Sequence, residues 1–249
     1  MISIRVVLVE PLYEGNVGSV CRAMKNFGFK DLILVKPCPL GDFSKAMAMH
    51  AQDLLAAAQI VDSFEEAIKG ADVVVATTGK PGAHMDSHVR NPYYNPKELR
   101  AMLKESSGTV ALVFGREDCG LVNDILEHCD IVAYIPASTE YPIMNLSQAV
   151  AIFMYELSGF EGGNIRLATS ESMDLFYKNF DMLLDNIGYP EHKKDKTMMM
   201  IHRVYGRAML NSRECYTMLG VLREIELALK RREGNQDTNS VSHKDPRKT

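Results

Sequence analysis

The chain has 249 residues, 46% apolar and 24% charged, which is the composition of a globular protein with one large or two small domains. No stretch is long and apolar enough to span a bilayer, and the N-terminus begins on a strand-like run, so we expect neither a membrane protein nor a secreted one. The five cysteines are scattered without a Cys-x-x-Cys pair, which favours reduced thiols in a cytoplasmic protein over disulfides or a zinc site.

The net charge of −4 argues against a generic polyanion-binding protein, but the charge is unevenly distributed. Residues 1–160 contain 13 basic and 19 acidic side chains, a net of −6. The chain from Lys193 onward contains 13 basic and 7 acidic side chains, a net of +6. If the protein binds nucleic acid, the C-terminal part should therefore supply much of the attraction for phosphate. A basic helix and tail that are merely solvated are the alternative.

Short apolar runs alternate with helical patterns along the first two thirds of the chain. This alternation predicts an α/β fold, a mostly parallel sheet with helices on both faces. The apolar runs predict strands at Ile4–Val9, Leu32–Val35, Ile60–Val61, Val73–Ala76, Val110–Phe114 and Ile131–Ile135. The helical patterns lie at Phe43–Ala58, between Ser63 and Gly70, and at Pro96–Glu105, Leu121–Glu127 and Gln148–Leu157.

The composition changes at residues 158–164, where Ser-Gly-Phe-Glu-Gly-Gly-Asn is typical of a flexible connector. Beyond it the strand patterns stop, and helices are predicted at Glu171–Ile187, at Thr197–Leu210 and from Asn211 to about Arg232. The last residues are polar, which predicts disorder. The predicted organisation is a domain at residues 1–160, a small all-helical region at residues 165–232 and a disordered tail at residues 233–249.

The segment after the first strand, residues 11–28, changes to helical spacing. Its apolar side chains fall on one face, and Ser19, Arg22 and Asn26 fall on the opposite face. Asn16 is a plausible N-cap, and Gly28 is placed to end the helix. An arginine beside amides and a hydroxyl suits an anionic ligand such as a nucleic-acid backbone. An ordinary solvated helix face is the alternative.

Two later segments also run from a buried strand into a loop. One is Val110–Leu121, with glycines at 115 and 120, and the other is Ile131–Val150, which contains Met-Asn-Leu. In this order, the three segments resemble the SPOUT family of knotted RNA methyltransferases, above all its TrmJ-type branch, which methylates a ribose 2′-hydroxyl of tRNA. The family's motifs look like Asn16 to Arg22, Phe114 to Glu117 with Gly120-Leu121, and Met144 to Leu146. The resemblance covers roughly residues 1–160.

The resemblance implies a C-terminal trefoil knot, formed by the loops at residues 115–120 and 136–147, and a homodimer. Connection rules alone predict an open sheet without a knot. The resemblance also implies S-adenosyl-L-methionine as cofactor. For Ile135 and Leu146, packing in the core is the alternative to a cofactor contact. The implied cofactor contacts are Thr77, Thr78, Gly79, Gly115, Ile135, Ile143, Met144 and Leu146.

The catalytic residues implied by the resemblance are Arg22, Asn16, Glu117 and Asn145. A guanidinium with a pKa above about 12 is a poor base, so we favour a positioning and electrostatic role for Arg22. Asn16 and Asn145 would orient the substrate or the arginine. Glu117 would pair with Arg22 or Arg116, or cap its loop. The predicted RNA contacts are Arg116 in the second motif, and Arg203 and Arg207, which share a helix face at a spacing of four in the basic C-terminal part.

One position departs from the family pattern. Many bacterial members carry a serine before the Leu-Asn of the third motif, and Ile143 stands in that place here. The departure marks another branch of the family or removes the role given to that hydroxyl. Ser147, just beyond the motif, is not an obvious replacement.

Other kinds of site find little support. The chain has no Gly-x-Gly-x-x-Gly fingerprint, and His84 and His88 lie in a loop without a third ligand, so we predict no metal site. The sequence therefore predicts 2′-O-methylation of a tRNA ribose, with cytidine at the first nucleotide of the anticodon loop favoured. A ribosomal RNA methyltransferase, a catalytically silent RNA-binding protein of the same fold and a small-molecule α/β enzyme with an oligomerising tail are the alternatives.

Overall fold

The computed structural model describes residues 1–79 and 92–241. His84 and His88, the histidines excluded above as a metal pair, lie outside the described residues. The same is true of residues 242–249, the end of the predicted tail. Within the described part of the chain, no helix is long and apolar enough to cross a membrane, and no group of three metal-ligating side chains occurs.

A parallel sheet in the strand order β3-β2-β1-β6-β4-β7-β5 organises the first 160 residues. A last short strand, β8, pairs with the start of β6. The predicted fold class is therefore confirmed. The strands are β1 Ile2–Val9, β2 Asp31–Val35, β3 Gln59–Val61, β4 Val73–Thr78, β5 Tyr93–Tyr94, β6 Ser106–Phe114, β7 Ile131–Tyr134 and β8 Ile165–Arg166.

Helices cover both faces of this sheet and then form the C-terminal region alone. The helices are α1 Glu14–Asn26, α2 Asp42–Ala48, α3 Gln52–Ala57, α4 Phe64–Ile68, α5 Pro96–Leu103, α6 Asn123–Glu127, α7 Leu146–Leu157, α8 Ser170–Asn186, α9 Glu191–Ala208 and α10 Ser212–Val241. A 3-10 turn at Met49–Ala51 separates α2 from α3.

The central strands are buried on both sides, which explains their unbroken apolar sequences. In β1, Val6 and Leu8 pack into the core formed with α1 and α7, while Val7 faces the opposite core with α4 and α6. All three side chains are inaccessible to solvent. The hydrophobic driving force for the domain thus lies in two layers, one on each face of the sheet.

Helix α1 has the predicted apolar face, with Val17, Val20 and Met24 fully buried. Its start differs from the prediction, because the N-cap is Tyr13 and not Asn16. The helix begins earlier, and the Asn16 side chain is engaged elsewhere. Gly28 adopts a φ of 81°, in the left-handed region that favours glycine after a helix.

Helix α2 lies directly against α1. A Cβ atom at Gly18 would stand 2.1 Å from the Ser44 carbonyl oxygen. The Glu14 carboxylate accepts hydrogen bonds from the backbone N–H groups of Gly41 and Ser44, at 2.6 and 3.0 Å. These contacts fix α2 against α1. The sequence predicted α2 as part of one longer helix at Phe43–Ala58. The helix instead breaks at Met49, whose φ is 51°.

The C-terminal helices have an apolar core of their own around Phe176, which is fully buried with Cys215. Helix α9 begins at Glu191, earlier than predicted from Thr197, and Lys194 in its first turns forms ion pairs with Asp181 and Asp185 of α8. These pairs stabilise a polar helix start that has no apolar periodicity.

Helix α10 continues to Val241, so residues 233–241 are helical where the sequence predicts a disordered tail. A helix that is already nucleated gains one hydrogen bond for each residue added, which outweighs the poor propensity of this polar stretch.

Two glycine substitutions test the close packing of α1 on α2. We expect Gly18→Ala to lower the free energy of unfolding by about 1–3 kcal/mol, because the new methyl group meets backbone that must move. Gly220→Ala is the matched control: nothing lies within 4 Å of its Cβ position in α10, and helix propensity predicts a gain of about 0.5–1 kcal/mol. Urea unfolding of both variants measures the difference, and equal stabilities would contradict the packing.

Candidate active site

A cavity of about 220 Å³ opens at the carboxyl ends of β4, β6 and β7, three adjacent strands of the sheet. Ligands of parallel α/β sheets bind at this edge, because the loops there present backbone groups and side chains together. All eight predicted cofactor residues line the cavity, and so do the loops in which the resemblance places the knot. The eight are Thr77, Thr78, Gly79, Gly115, Ile135, Ile143, Met144 and Leu146.

The walls of the cavity differ in chemistry. Leu146 and Phe153 are nearly fully buried and offer an apolar surface. Ile143 is half exposed and lies over Gly79, where a Cβ atom would be 3.5 Å from the isoleucine side chain. Arg116, Glu117 and Asp118 form a polar part of the lining. The cavity therefore offers a ligand both an apolar surface and polar groups.

The loop after β6 requires glycine at its first position. A Cβ atom at Gly115 would stand 2.3 Å from the Gly120 carbonyl carbon and 2.4 Å from the Leu121 nitrogen. The loop closes on itself through a hydrogen bond from the Gly120 N–H to the Arg116 carbonyl, at 2.9 Å. Any larger residue at Gly115 would push this loop away from the cavity.

The Glu117 carboxylate joins the three motif segments. One oxygen accepts the Leu12 N–H and the other accepts the Asn16 side-chain amide, both at 2.8 Å. The Asn145 side-chain amide donates to the Asn16 oxygen at 3.0 Å. The Asn145 oxygen in turn accepts the backbone N–H and the hydroxyl of Ser147, at 2.9 and 2.7 Å. We call Glu117, Asn16, Asn145 and Ser147 the amide chain.

The direction of every bond in the amide chain follows from its first member. An ionised carboxylate can only accept hydrogen bonds, so Asn16 must turn its NH2 group toward Glu117. The Asn16 oxygen then faces Asn145, which must present its own NH2 group in return. As a result, the second hydrogen of the Asn145 amide points away from the chain, and Asn145 is exposed. The network leaves a donor available at the surface beside the cavity.

Glu117 pairs with neither of the arginines that the sequence suggested. Arg116 instead forms two hydrogen bonds with Asp118, at 2.8 and 3.0 Å, and an ion pair with Glu10 at 3.5 Å. This pairing raises the pKa of Arg116 and lowers the pKa of Asp118 to about 2. Because two carboxylates already neutralise Arg116, its predicted RNA contact loses part of its electrostatic basis.

Arg22 is exposed on α1, two helical turns or less from Asn16. Its guanidinium forms no ion pair or hydrogen bond with any residue of the described part of the chain. Arg22 does not line the cavity. Its five donors are thus available to an anion at the surface of α1.

The position of Arg203 contradicts its predicted contact with RNA. Only 4% of the residue is exposed, and its guanidinium donates to the Leu126 carbonyl oxygen at 2.6 Å. It cannot reach an RNA phosphate from there, because α9 packs this side onto the sheet domain. Burial also raises the pKa of the neighbouring Asp130 to about 7 and lowers the pKa of His202 to about 4. Arg207, one turn further, is half-buried and its RNA contact stays a prediction.

Sequence reasoning missed several contributors to the site. Ser147 was set aside, although it closes the amide chain from the first turn of α7, where residues near an N-cap asparagine often bond to its side chain. Pro142, Asp118 and Cys119 also line the cavity. The only sign of these residues in the sequence is that they lie close to residues of the motifs.

Comparison with known proteins agrees with this fold. Residues 3–155 match the SpoU rRNA Methylase family. The chain is 38% identical to the tRNA (cytidine-2′-O-)-methyltransferase TrmJ of Methanocaldococcus jannaschii, over 90% of this chain and 100% of that protein. It is 35% identical to the tRNA (cytidine/uridine/adenosine-2′-O-)-methyltransferase TrmJ of Pseudomonas aeruginosa, over 90% and 93%. The crystal structure of TrmJ from Z. mobilis ZM4 superimposes with a TM-score of 0.72 at 28% identity, over 89% of this chain and 98% of that one.

The fold, the site and these matches define the class of protein. The chain belongs to the SpoU methylase family. The similarity to TrmJ proteins extends beyond the sheet domain into the C-terminal helices, because it covers nine tenths of the chain. The family resemblance predicted from the three motifs is confirmed.

A single charge change tests the amide chain. In Asn16→Asp, two carboxylates would meet at the 2.8 Å contact with Glu117, which raises a carboxyl pKa in the folded state. We expect the free energy of unfolding to fall by about 1–3 kcal/mol at pH 8. A carboxyl group whose pKa is higher in the folded than in the unfolded state lowers the free energy of unfolding at pH values above its unfolded pKa. The loss should therefore vanish as the pH falls to about 4.

The control is Asn26→Asp, which adds the same charge at an exposed position of α1. Urea unfolding at pH 8 and pH 4 separates the two variants. If both lose equal stability at pH 8, Asn16 and Glu117 are not coupled.

Proposed function

We propose that the chain is an S-adenosyl-L-methionine-dependent tRNA ribose 2′-O-methyltransferase. The observation that carries the proposal is the contact between the cavity and the amide chain. Glu117 both lines the cavity and holds Asn16, which binds Asn145. A cofactor in the cavity would therefore lie beside the free hydrogen-bond donor of Asn145, in a chain of the SpoU methylase family.

The residues of the cavity fit this cofactor. The apolar side chains of Ile135, Leu146 and Phe153 offer a surface for an adenine ring, and the Glu117 carboxylate attracts positive charge. Strand-end loops with glycine at 79 and 115 bring backbone groups close to a ligand. When bound, S-adenosyl-L-methionine supplies the methyl group for the reaction.

The chain's own residues would align the acceptor and stabilise its charge. The free donor of Asn145 orients a ribose hydroxyl or its neighbouring phosphate oxygen. Arg22 binds the adjacent phosphate and stabilises negative charge that develops on the attacking oxygen. Its high pKa makes it a poor proton acceptor in its own right. Glu117 acts through Asn16 and is a positioning residue.

The proposed substrate position is the first nucleotide of the tRNA anticodon loop, with cytidine favoured. Cytidine is the nucleotide that the names of the M. jannaschii and P. aeruginosa relatives share. A ribosomal RNA is the second candidate, because the description of the matching family refers to rRNA.

We also propose a homodimer in the cytoplasm. Large apolar side chains are exposed on the side of α1, α2 and α7, among them Tyr13, Phe43 and Tyr155, with 63, 59 and 68% of each residue accessible. An apolar surface of this kind marks a protein interface. It would place a second copy beside Asn16 and Asn145.

Transfer of a labelled methyl group tests the function directly. We expect the full chain with radiolabelled S-adenosyl-L-methionine and no added metal to label a tRNA transcript. Nuclease digestion should leave a resistant dinucleotide, since a methylated 2′-oxygen blocks cleavage. Labelling of ribosomal RNA in place of tRNA would favour the second candidate, and labelling of neither would contradict the proposal.

Substitutions at Arg22 test its role. We expect Arg22→Ala to leave cofactor affinity unchanged and to lower the rate of methyl transfer by about 100-fold or more, a range typical of removing a charge-stabilising donor. Arg22→Lys should restore little, because an ammonium lacks the planar fork. Lys25→Ala, on the same helix and paired with Asp53, is the control that should stay near wild type. Wild-type turnover of Arg22→Ala at saturating tRNA would contradict the assignment.

A further inference from the structure

The amide chain ends at the hydroxyl of Ser147, in the first turn of α7. Both the backbone N–H and the hydroxyl of Ser147 donate to the Asn145 side-chain oxygen, at 2.9 and 2.7 Å. Because a backbone N–H can only donate, it fixes Asn145 in the same orientation that Glu117 imposes from the other end of the chain. The direction of the Ser147 hydroxyl is therefore determined as well, and its hydrogen points at Asn145.

This direction leaves the Ser147 oxygen as an acceptor. A hydroxyl has one hydrogen and two lone pairs, and the hydrogen of Ser147 is used by Asn145. In residues 1–79 and 92–241, no group donates a hydrogen bond to the Ser147 Oγ. Ser147 is half-buried, and the preceding residue, Leu146, lines the cavity. The end of the amide chain thus presents an acceptor beside the cavity.

The Asn145 amide presents the opposite kind of group. Its oxygen already accepts two hydrogens from Ser147, so Asn145 has no acceptor left for a ligand. One hydrogen of its NH2 group is bonded to Asn16, and the second is available at the surface. Asn145 and Ser147 therefore offer one donor and one acceptor on either side of a single amide group.

This pair of groups distinguishes between the oxygen atoms of RNA. A phosphate oxygen only accepts hydrogen bonds, so it can bond to Asn145 but not to the Ser147 Oγ, whose hydrogen is already used. A ribose 2′-hydroxyl both donates and accepts, so it can bond to both residues. The donor–acceptor pair is therefore complementary to a hydroxyl, whereas the guanidinium of Arg22 is complementary to an anion.

We propose that Ser147 binds the ribose 2′-hydroxyl that receives the methyl group, an inference that rests on the proposed function. The 2′-hydroxyl donates its hydrogen to the Ser147 Oγ and accepts the free N–H of Asn145, and its remaining lone pair is left for the methyl group. The hydrogen bonds then run in one direction from the substrate through Ser147, Asn145 and Asn16 to the Glu117 carboxylate. Hydrogen bonds aligned in this way polarise one another, so the charge of Glu117 strengthens the bond to the substrate hydroxyl.

Support of α7 is the alternative role of Ser147. The backbone N–H of Ser147 already completes the cap with Asn145, and it stays in place when the hydroxyl is removed. A hydroxyl that only stabilises the helix start would affect the binding of every substrate equally. A hydroxyl that contacts the 2′-oxygen affects only a substrate that carries the 2′-hydroxyl.

A 2′-deoxy substitution in the substrate separates these two roles. The target nucleotide is first located as the one that the full-length wild-type protein methylates in a tRNA transcript. Wild type and Ser147→Ala are then titrated, in the presence of S-adenosyl-L-homocysteine, with this tRNA and with the same tRNA carrying one 2′-deoxynucleotide at the target. We expect wild type to prefer the ribose form, and Ser147→Ala to lose about three- to tenfold of this preference, the typical worth of one hydrogen bond. Affinity for the 2′-deoxy form should stay at the wild-type value.

Ser158→Ala is the matched control, because it removes a hydroxyl from the other end of α7, where Ser158 donates to the Tyr155 carbonyl oxygen at 2.8 Å. This variant should keep the wild-type preference. An unchanged preference in Ser147→Ala would overturn the proposal, and so would an equal loss of affinity for both tRNAs or a wild type without any preference. Failure of the proposed function is seen separately, in the first step, as the absence of a methylated ribose in the tRNA.

Discussion

The site depends on one constraint, that an ionised carboxylate accepts hydrogen bonds and cannot donate them. Glu117 accepts from Leu12 and Asn16, and this fixes the orientation of both asparagine amides. These hydrogen bonds join the three motif segments, although the first and the last are more than 100 residues apart in the sequence. The wall of the cavity and the donor at Asn145 become parts of one unit, which under the proposed function would hold the cofactor and the substrate in a fixed geometry.

The two ends of the parallel strands contact different parts of the protein. Their carboxyl ends form the cavity and the amide chain. Their amino ends contact the C-terminal helices through β8 and through Arg203 of α9. This arrangement separates an acidic domain, with a net charge of −6 at residues 1–160, from a C-terminal part that is basic from Lys193 onward. Under the proposed function, a tRNA would be attracted at a distance from the residues that act on a single ribose.

The sequence predicted the central strands because strands buried on both faces have continuous apolar sequences, as in β1 and β6. The two-residue strand β5 was too short to leave a pattern. The eight cavity residues followed from motif resemblance, since loops after adjacent parallel strands must meet. The inward direction of Arg203 was not predictable, because its partner is a backbone carbonyl 77 residues away. The contact between Glu117 and Asn16 was not predicted either, because a carboxylate is expected to pair with an arginine, and Arg22 and Arg116 were both candidates.

The most direct test is nucleoside mass spectrometry of tRNA from cells that lack this gene. The account predicts the loss of a 2′-O-methylated nucleoside at one tRNA position. Wild-type protein should restore the modification, and the Arg22→Ala protein should not. Unchanged ribose methylation in tRNA, with or without a loss in ribosomal RNA, would contradict the account.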